Sequence, residues 1–364
     1  MENKKIGIVI DKDFALKNRP PYPRPMFVSY ENPNRIKGIM SYFDKIHLFE
    51  DDRIIKLAPM EIDEKIIQLA HSKYYIDSIK RLSNFGSGLI GEEVFITKNT
   101  FYLAKKAIGG AICAVENVIN RKVNQSFALI RPPGHHALRE MGSGLCIFNN
   151  IANTVLYLRK ILKYEKKIAI IDIDDHLGDG ILQYFYNDPS VLYFSVHEFD
   201  FVEGELGFPD ELGEGEGLGK NINFPIPAGV SDGEILEFMD ILEPILNEYQ
   251  PDLILIAAGF DMYFADPVGN CNLTSLSYFK FTEKILKIAE EVSEGKLSFI
   301  LEGGYSLIGL PICVHAIIKA LLNEHFERPL FENLEFQYES KMEDIIKIKN
   351  SLKELLKIYW NLIE

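Results

Sequence analysis

The chain has 364 residues, and 47% of them are hydrophobic, which is enough to bury a substantial core. Its net charge of −14 argues against a nucleic-acid partner, because phosphate binding needs clustered Lys and Arg. The N-terminal apolar run at 6–10 is too short for a signal peptide, and no apolar stretch approaches the ~20 residues that cross a bilayer, so we expect no membrane partner.

Short apolar runs rich in Ile, Val, Leu and Phe recur along the chain and predict strands buried on both faces, as in parallel sheets. Helical periodicity between them predicts intervening helices. Strands are predicted at 6–10, 127–130, 168–173, 191–196, 253–258 and 299–301, and helices at 64–84, 100–121, 232–248, 275–293 and 309–324. This alternation predicts an α/β fold with a mainly parallel sheet flanked by helices on both faces.

No linker or repeat divides the chain, so one domain is predicted for residues 1–364. Ser231 and Glu234 fit a capping box at the start of the 232–248 helix. Residues 203–220 are rich in Gly and Glu and predict a long loop of a kind that is often functional. Segment 337–364 is predicted to be a C-terminal amphipathic helix docked on the domain, because its apolar residues share one stripe: Ile345, Ile348, Leu352, Leu355, Tyr359 and Leu362.

The cysteines indicate the compartment. Cys113, Cys146, Cys271 and Cys313 show no short paired spacing, unlike a disulfide framework or a thiolate zinc site. We therefore expect free thiols and a cytoplasmic protein. The sequence leaves the oligomeric state open.

Reactive residues follow four of the predicted strands. They occupy positions 131–136, 172–180, 259–261 and 302–305. Because ligands bind at the carboxyl ends of strands in open parallel sheets, we expect these four clusters to converge at one edge of the sheet.

Asp174, His176 and Asp261 are candidate metal ligands. Residues two apart in extended backbone point to the same side, so Asp174 and His176 can bind one ion together. Three protein ligands with an open position for water are typical of a catalytic metal site. Zn²⁺ and Fe²⁺ both suit this ligand set. The alternative is a salt-bridged Asp–His pair with Asp261 capping a turn, which the nearby histidines disfavour.

Hydrolysis of an amide at such a site needs a general base and a general acid. His135 and His136 follow a rigid Pro-Pro-Gly turn, and Asp172 and Asp179 are available to support an imidazole through its other ring nitrogen. Tyr305 follows two glycines, and its hydroxyl is placed to donate to a developing oxyanion. For each of these residues alone, a packing role is the simpler interpretation.

These motifs resemble those of the zinc-dependent histone deacetylase family, which includes the acetylpolyamine amidohydrolases. The matching stretches are RPPGHHA at 131–137, GLCIFNN at 144–150, DIDDHLGDG at 172–180, AGFD at 258–261 with Asp266-Pro267, and LEGGY at 301–305. They occur in the family's order between about residues 20 and 320. The resemblance implies an arginase/deacetylase-like fold.

The resemblance also implies roles for individual residues. It implies zinc bound by Asp174, His176 and Asp261. It implies that His136, backed by Asp179, acts as the general base and later the general acid. It also implies that His135, backed by Asp172, is the partner histidine of His136, and that the Tyr305 phenol polarises the substrate carbonyl. For the substrate tunnel it implies the Gly144 carbonyl as an acceptor, Leu145 and Phe208 as walls, and Arg35 near the inner pocket. It further implies a structural K⁺ bound by backbone oxygens of Asp172, Asp174 and His176 with Ser195 and Val196.

Two positions depart from the family pattern. The usual second histidine after the metal-binding histidine is Leu177, and an unusual Asp175 precedes His176. The second tunnel wall, normally aromatic, is Leu145, which loses stacking area and makes acyl groups longer than acetyl plausible.

The predicted activity is hydrolysis of an N-acyl, most plausibly acetyl, amide of a polyamine or of lysine. Glu92 and Glu93 are candidates for a carboxylate rim that holds a cationic substrate, although a solvated loop explains them equally well. One alternative is an arginase-like ureohydrolase with two manganese ions. Another is a deacetylase-like binding protein without activity.

Overall fold

Parallel strands dominate the structure, a computed structural model that describes residues 4–20, 27–90, 93–202, 204, 206–334 and 340–362. Ten strands are assigned in these ranges: β1 (Ile6–Val9), β2 (Ile54–Leu57), β3 (Ser87–Ile90), β4 (Val94–Thr97), β5 (Gln125–Ala128), β6 (Ile168–Asp172), β7 (Val191–Glu198), β8 (Asn221–Ile226), β9 (Leu253–Ala258) and β10 (Leu297–Leu301). The α-helices there are α1 (Lys12–Leu16), α2 (Asn34–Lys45), α3 (Glu64–Ile67), α4 (Lys73–Phe85), α5 (Thr100–Ile119), α6 (Asn150–Lys160), α7 (Asp179–Phe185), α8 (Met239–Tyr249), α9 (Ser275–Val292), α10 (Gly309–Leu321) and α11 (Met342–Leu356).

Eight of the described strands form one sheet in the order β2-β1-β5-β10-β9-β6-β7-β8, and every pairing in it is parallel. All residues of β5, β6, β9 and β10 are buried. Since successive residues of a strand point to opposite faces, both faces of the sheet are covered by other elements. The predicted α/β fold with a mainly parallel sheet is confirmed.

All six strands predicted from apolar runs are present, and two strands of the main sheet were missed. β2 and β8 lie at its two edges. β2 is only partly buried and carries Lys56, and β8 carries Asn221, Asn223 and Pro225. Edge strands tolerate polar residues and proline, so neither gives the apolar run of a central strand. β3 and β4 form a separate antiparallel pair.

The helix predicted at 64–84 is divided into α3 and α4. The buried His71 contacts the Leu138 carbonyl through Nδ1 at 2.9 Å and accepts from Asn149 N through Nε2 at 2.8 Å. The Ser72 hydroxyl then caps α4 by accepting from Tyr75 N at 3.2 Å. Between α3 and α4, these side-chain hydrogen bonds take the place of the backbone hydrogen bonds of a continuous helix.

The segment at 232–248 also begins differently from the prediction. A 3₁₀ turn over Ile235–Phe238 precedes α8. Glu234 Oε2 accepts from Ser231 N at 2.9 Å, which is the reciprocal half of a capping box. The box therefore orders the turn that leads into α8.

The C-terminal segment contains α11, which packs beside β8. Ile345, Leu352 and Leu356 are fully buried, and Leu355 is partly exposed. Trp360 Nε1 donates to the Gly219 carbonyl at 2.8 Å. Residues 337–339 and 363–364 of the predicted segment lie outside the described ranges.

No helix in the described ranges combines the length and apolar character needed to cross a membrane.

Candidate active site

Four neighbouring strands, β5, β10, β9 and β6, end at one edge of the sheet and carry the predicted reactive residues. β6 and β9 are paired in register from Ile168 opposite Leu253 to Asp172 opposite Ala257. The segments that follow meet around a cavity of about 200 Å³. It is lined by Phe27, Glu93, His135, His136, Ser143, Gly144, Leu145, Asp174, His176, Asp261, Val268 and Tyr305.

Asp174, His176 and Asp261 form a compact group at the base of this cavity. One ligand-type atom from each lies within 4.8 Å of the other two. His176 Nδ1 is 3.4 Å from Asp174 Oδ1 and 3.4 Å from Asp261 Oδ2. Both carboxylates are buried, whereas the imidazole is partly exposed to the cavity.

These separations fit a bound metal ion. A tetrahedral ion with bonds of about 2.0–2.2 Å holds its ligand atoms roughly 3.3–3.6 Å apart. The two 3.4 Å separations at His176 fall in that range and exceed the ~2.7–3.2 Å of an ordinary N–H···O hydrogen bond. The donor set of two carboxylates and one imidazole is also that of a catalytic transition-metal site.

Two histidines on the turn after β5 are each backed by a carboxylate. His136 Nδ1 is 2.7 Å from Asp179 Oδ1, and His135 Nδ1 is 3.3 Å from Asp172 Oδ2. The two rings are 4.0 Å apart between centroids. Because Nδ1 of His136 is turned to its carboxylate, Nε2 remains available to the cavity.

The protonation states of these two histidines diverge. Burial and the neighbouring charge of His135 lower the pKa of His136. Burial also opposes the charged form of His135, but the carboxylates of Asp174 and Asp172 outweigh it and raise the pKa of His135 to about 10. The lowered pKa of His136 favours a neutral imidazole that can act as a base near pH 7.

Tyr305 lies across the cavity from the histidines. Asp266 Oδ2 accepts from Tyr305 N at 2.6 Å and from Ser306 N at 2.7 Å, which fixes the backbone of this turn. Arg35, fully buried, lies 4.7 Å from the Tyr305 ring centroid and donates to the Gly304 carbonyl at 2.7 Å. Burial raises the pKa of the Tyr305 phenol well above its usual value, so it stays protonated and able to donate.

Two glycines are required by the close packing of the site. A Cβ at Gly303 would lie 2.3 Å from Asp261 Oδ2 and 2.6 Å from Asp174 Oδ2, and Gly303 N donates to Asp174 Oδ2 at 2.8 Å. A Cβ at Gly144, whose φ is +48°, would lie 2.3 Å from the His136 ring. Any side chain at either position would displace a catalytic group.

The cavity walls differ in part from the sequence prediction. Leu145 lines the cavity and is 4% exposed. Phe27 and Val268 add apolar wall that the sequence did not identify. The Gly144 carbonyl lies 3.4 Å from Cys146 Sγ at this wall.

Phe208, which the sequence placed in the tunnel wall, does not line this cavity in the described part of the chain. Its ring packs edge-on against Phe199 with centroids 4.9 Å apart. The backbone amides of Gly207 and Phe208 donate to Glu211 Oε2 at 2.6 and 3.1 Å, and His197 Nε2 contacts the Gly207 carbonyl at 3.2 Å. These bonds hold the loop against β7 and the segment that follows it.

Glu93 lies at the cavity wall, as a rim carboxylate would. Its Oε2 accepts from Ser143 Oγ at 3.0 Å and from Gly144 N at 2.8 Å. Glu92, the other candidate, lies outside the described residues.

Glu302 is a supporting residue whose role the sequence did not reveal. Its Oε2 accepts from Gly134 N at 2.5 Å and from His135 N at 3.1 Å, so it fixes the histidine turn from the neighbouring strand. Burial raises the pKa of Glu302 to about 7. The sequence did contain one signal for this role: Glu302 directly follows a predicted strand, as the other site residues do.

Arg131, the first residue of the RPPGHHA motif, has a structural role. Its guanidinium is fully buried, and Nε and Nη2 donate to the two carboxylate oxygens of Glu31 at 2.6 and 2.7 Å. This bidentate pair ties the histidine turn to the N-terminal region.

The residues predicted to hold a structural cation lie at the ends of β6 and β7 and on the segment after β6. Asp172 pairs with Ser195 in the β6–β7 register, and Val196 follows in β7. Tyr193 OH donates to Asp172 Oδ2 at 3.0 Å, and Ser195 Oγ lies 2.9 Å from His197 Nδ1.

Comparison with known proteins agrees with this geometry. The histone deacetylase domain matches residues 29–321. A probable deacetylase of Archaeoglobus fulgidus is 33% identical over 362 residues, covering 97% of this chain and 98% of that protein. Polyamine deacetylase HDAC10 of Danio rerio is 34% identical over 300 residues, which cover 79% of this chain but 43% of that protein. The crystal structure of the HDA15 HD domain superposes with a TM-score of 0.84 at 27% identity and covers 98% of this chain and 96% of that one. The chain belongs to the histone deacetylase family.

Proposed function

We propose that this chain is a metal-dependent deacetylase that hydrolyses the amide bond of an N-acetylated amine and releases acetate and the free amine. The observation that carries the proposal is the Asp174, His176 and Asp261 group, which shares one cavity with His136 and Tyr305. Membership in the histone deacetylase family supports hydrolysis of acetyl amides. We propose that residues 1–364 act as one catalytic domain.

Zn²⁺ is the proposed resident metal, with Fe²⁺ as the alternative that the same ligands accept. When bound by Asp174, His176 and Asp261, such an ion supplies Lewis-acid polarisation of the substrate carbonyl and of water. Near Asp172, Ser195 and Val196 we further propose a structural K⁺.

His136 is the proposed general base and then general acid. Its lowered pKa favours the neutral imidazole, and Asp179 orients the ring through Nδ1. Nε2 can thus take a proton from the attacking water and later give it to the departing amine. His135 pairs with Asp172 through Nδ1 and lies beside His136 at the cavity, where it supports the general base.

Tyr305 is the proposed donor to the oxyanion. Its phenol remains protonated, and Asp266 and Arg35 hold its backbone and ring in place before substrate arrives. A donor that needs no reorganisation contributes most when charge develops on the substrate oxygen.

The proposed substrate is an acetylpolyamine or acetylated lysine. The relatives bear deacetylase and polyamine deacetylase names. Glu93 at the cavity wall favours a cationic substrate, and Leu145 in place of an aromatic ring leaves room for acyl groups longer than acetyl. The proposed location is the cytoplasm, which suits four free cysteines.

Metal analysis coupled to turnover tests this function. We expect purified protein to contain metal bound by Asp174, His176 and Asp261 and to release acetate from acetylputrescine, acetylspermidine or an acetyl-lysine peptide. His136→Ala should reduce kcat by about 100-fold or more while the metal content is retained. Metal-loaded protein that turns over none of the three substrates would refute the acetyl assignment.

The same assay separates the alternatives. An arginase-like enzyme would release urea from a guanidino substrate, and a binding protein would retain acetylated amines without hydrolysing them. The family match and the named relatives give neither alternative support.

A further inference from the structure

A second group of ligand-type side chains lies behind the first. Asp175, Glu198 and Cys271 each place one ligand atom within 4.8 Å of the other two. They come from the segment after β6, the end of β7 and the loop after β9, so the same sheet edge brings them together. None of the three has a role in the proposed hydrolysis.

Asp175 is buried and forms no salt bridge with any residue that the structure describes. It is 2% exposed, and Oδ1 accepts from Cys271 Sγ at 3.3 Å. Oδ2 accepts no hydrogen bond from any residue that the structure describes. A thiol is a weak donor, so the buried Asp175 carboxyl group has only one weak side-chain hydrogen bond among the described residues.

The space beside Asp175 Oδ2 depends on a glycine. A Cβ at Gly269 would lie 2.7 Å from Asp175 Oδ2 and 2.1 Å from the Asp261 carbonyl oxygen. Every other residue type is therefore excluded from the position that faces the unpaired oxygen.

The backbone around Cys271 is fixed before any ion binds. Gly229 N donates to the Asn270 carbonyl at 2.9 Å, and Asn272 N donates to the Val230 carbonyl at 2.7 Å. Asn270 Nδ2 in turn donates to Glu198 Oε1 at 3.1 Å. The three ligand-type residues thus sit on ordered segments, which reduces the entropic cost of collecting them around an ion.

We propose that Asp175, Glu198 and Cys271 bind a second divalent transition-metal ion. A thiolate with two carboxylates suits ions such as Zn²⁺ or Co²⁺ better than Mg²⁺ or Ca²⁺, which prefer oxygen ligands alone. A cation would neutralise the paired carboxylates, and Cys271 would lose its proton to the solvent on binding. Asp175 N donates to Asp261 Oδ1 at 3.1 Å, so the ion would brace the backbone behind the catalytic group.

This site differs from a binuclear ureohydrolase centre. The two groups here have no residue in common, so they form two separate sites. The second group also contains a sulfur ligand that the first lacks. That sulfur gives the second site a spectroscopic signature of its own.

Cobalt titration of metal-free full-length protein tests the proposal. We expect two Co²⁺ ions per chain and a near-ultraviolet thiolate-to-cobalt charge-transfer band that accompanies only one of them. Cys271→Ser should remove the band and the second equivalent, and Cys146→Ser, which alters the cysteine beside the catalytic cavity, should retain both. One Co²⁺ per chain without the band, or a band that survives Cys271→Ser, would overturn the proposal.

Glu198→Gln gives an independent measurement if the buried cysteine variant fails to fold. Glu198 is only half-buried, so this change has the smaller effect on folding. We expect this change to lower the affinity for the second Co²⁺ by more than ~100-fold. Substitution of a residue that only supports a ligand typically lowers metal affinity by ~10–100-fold. Unchanged binding of the second ion would count against the site. Acetate release reports the catalytic group separately, so either proposal can fail alone.

Discussion

Replacing Tyr305 by Phe tests the site chemistry with little structural disturbance. The ring is 7% exposed and held by Arg35, and the backbone is held by Asp266, none of which involves the phenol oxygen. The substitution therefore removes one hydroxyl and leaves the ring in place. Losing one oxyanion donor costs about 10²–10³ in kcat, or roughly 2.7–4 kcal/mol in the barrier. We expect that loss, with KM and metal content nearly unchanged.

The assay is steady-state release of acetate, together with metal analysis and thermal unfolding. Tyr278→Phe is the matched control, because Tyr278 is a buried tyrosine outside the cavity whose hydroxyl has no hydrogen-bond partner among the described residues. It should keep full activity. A Tyr305→Phe enzyme with a kcat within threefold of wild type would show that the phenol does not stabilise the transition state.

Three further predictions address the tunnel, a buried ion pair and pH. Leu145→Phe should narrow the cavity and raise the ratio of acetyl to longer-acyl turnover by about tenfold; an unchanged ratio in competition assays would mean that this wall does not contact the acyl group. Arg131→Ala should lower the unfolding free energy in urea by about 3 kcal/mol, the low end for breaking a buried pair, because it removes the bidentate partner of Glu31 and leaves only Arg35 Nη1 at 3.7 Å; adding Glu31→Gln should restore part of that loss. Burial lowers the pKa of His71 from 6.5 to about 4, so its neutral form contributes stability above pH 6.5 that is lost as the pH falls toward 4. His71→Gln should flatten that decline, and parallel pH profiles of unfolding would contradict the assignment.

The sequence predicted the parts of the fold that depend on local apolar pattern. The central strands β6, β9 and β10 are continuous apolar runs because both of their faces are buried. β2 was missed because it is partly exposed and carries Lys56, whereas β8 was missed because Asn221, Asn223 and Pro225 interrupt its apolar pattern although the strand is buried. The break between α3 and α4 depends on partners of His71 more than 60 residues away, which no local pattern contains.

The candidate site also contains residues that the sequence predicted and residues that only the structure revealed. Asp174, His176 and Asp261 follow predicted strands, so the rule that ligands bind at the carboxyl ends of parallel strands was enough to group them. Glu302 and Asp266 act through backbone amides of distant segments, and their contacts required coordinates. The position of Phe208 depends on how its loop binds Glu211, which the sequence motif does not specify.

The site is assembled from segments that lie far apart in the sequence, so unfolding of the sheet should disassemble it. Its catalytic residues run from His135 to Tyr305 and are supplied by the ends of four separate strands. No single strand or loop contains them all, and an unfolded chain cannot hold them near one another. Metal affinity should therefore fall together with the sheet, in one cooperative step, as denaturant is added. Residual acetate release in a denaturant series would then serve as a direct measure of the natively folded population.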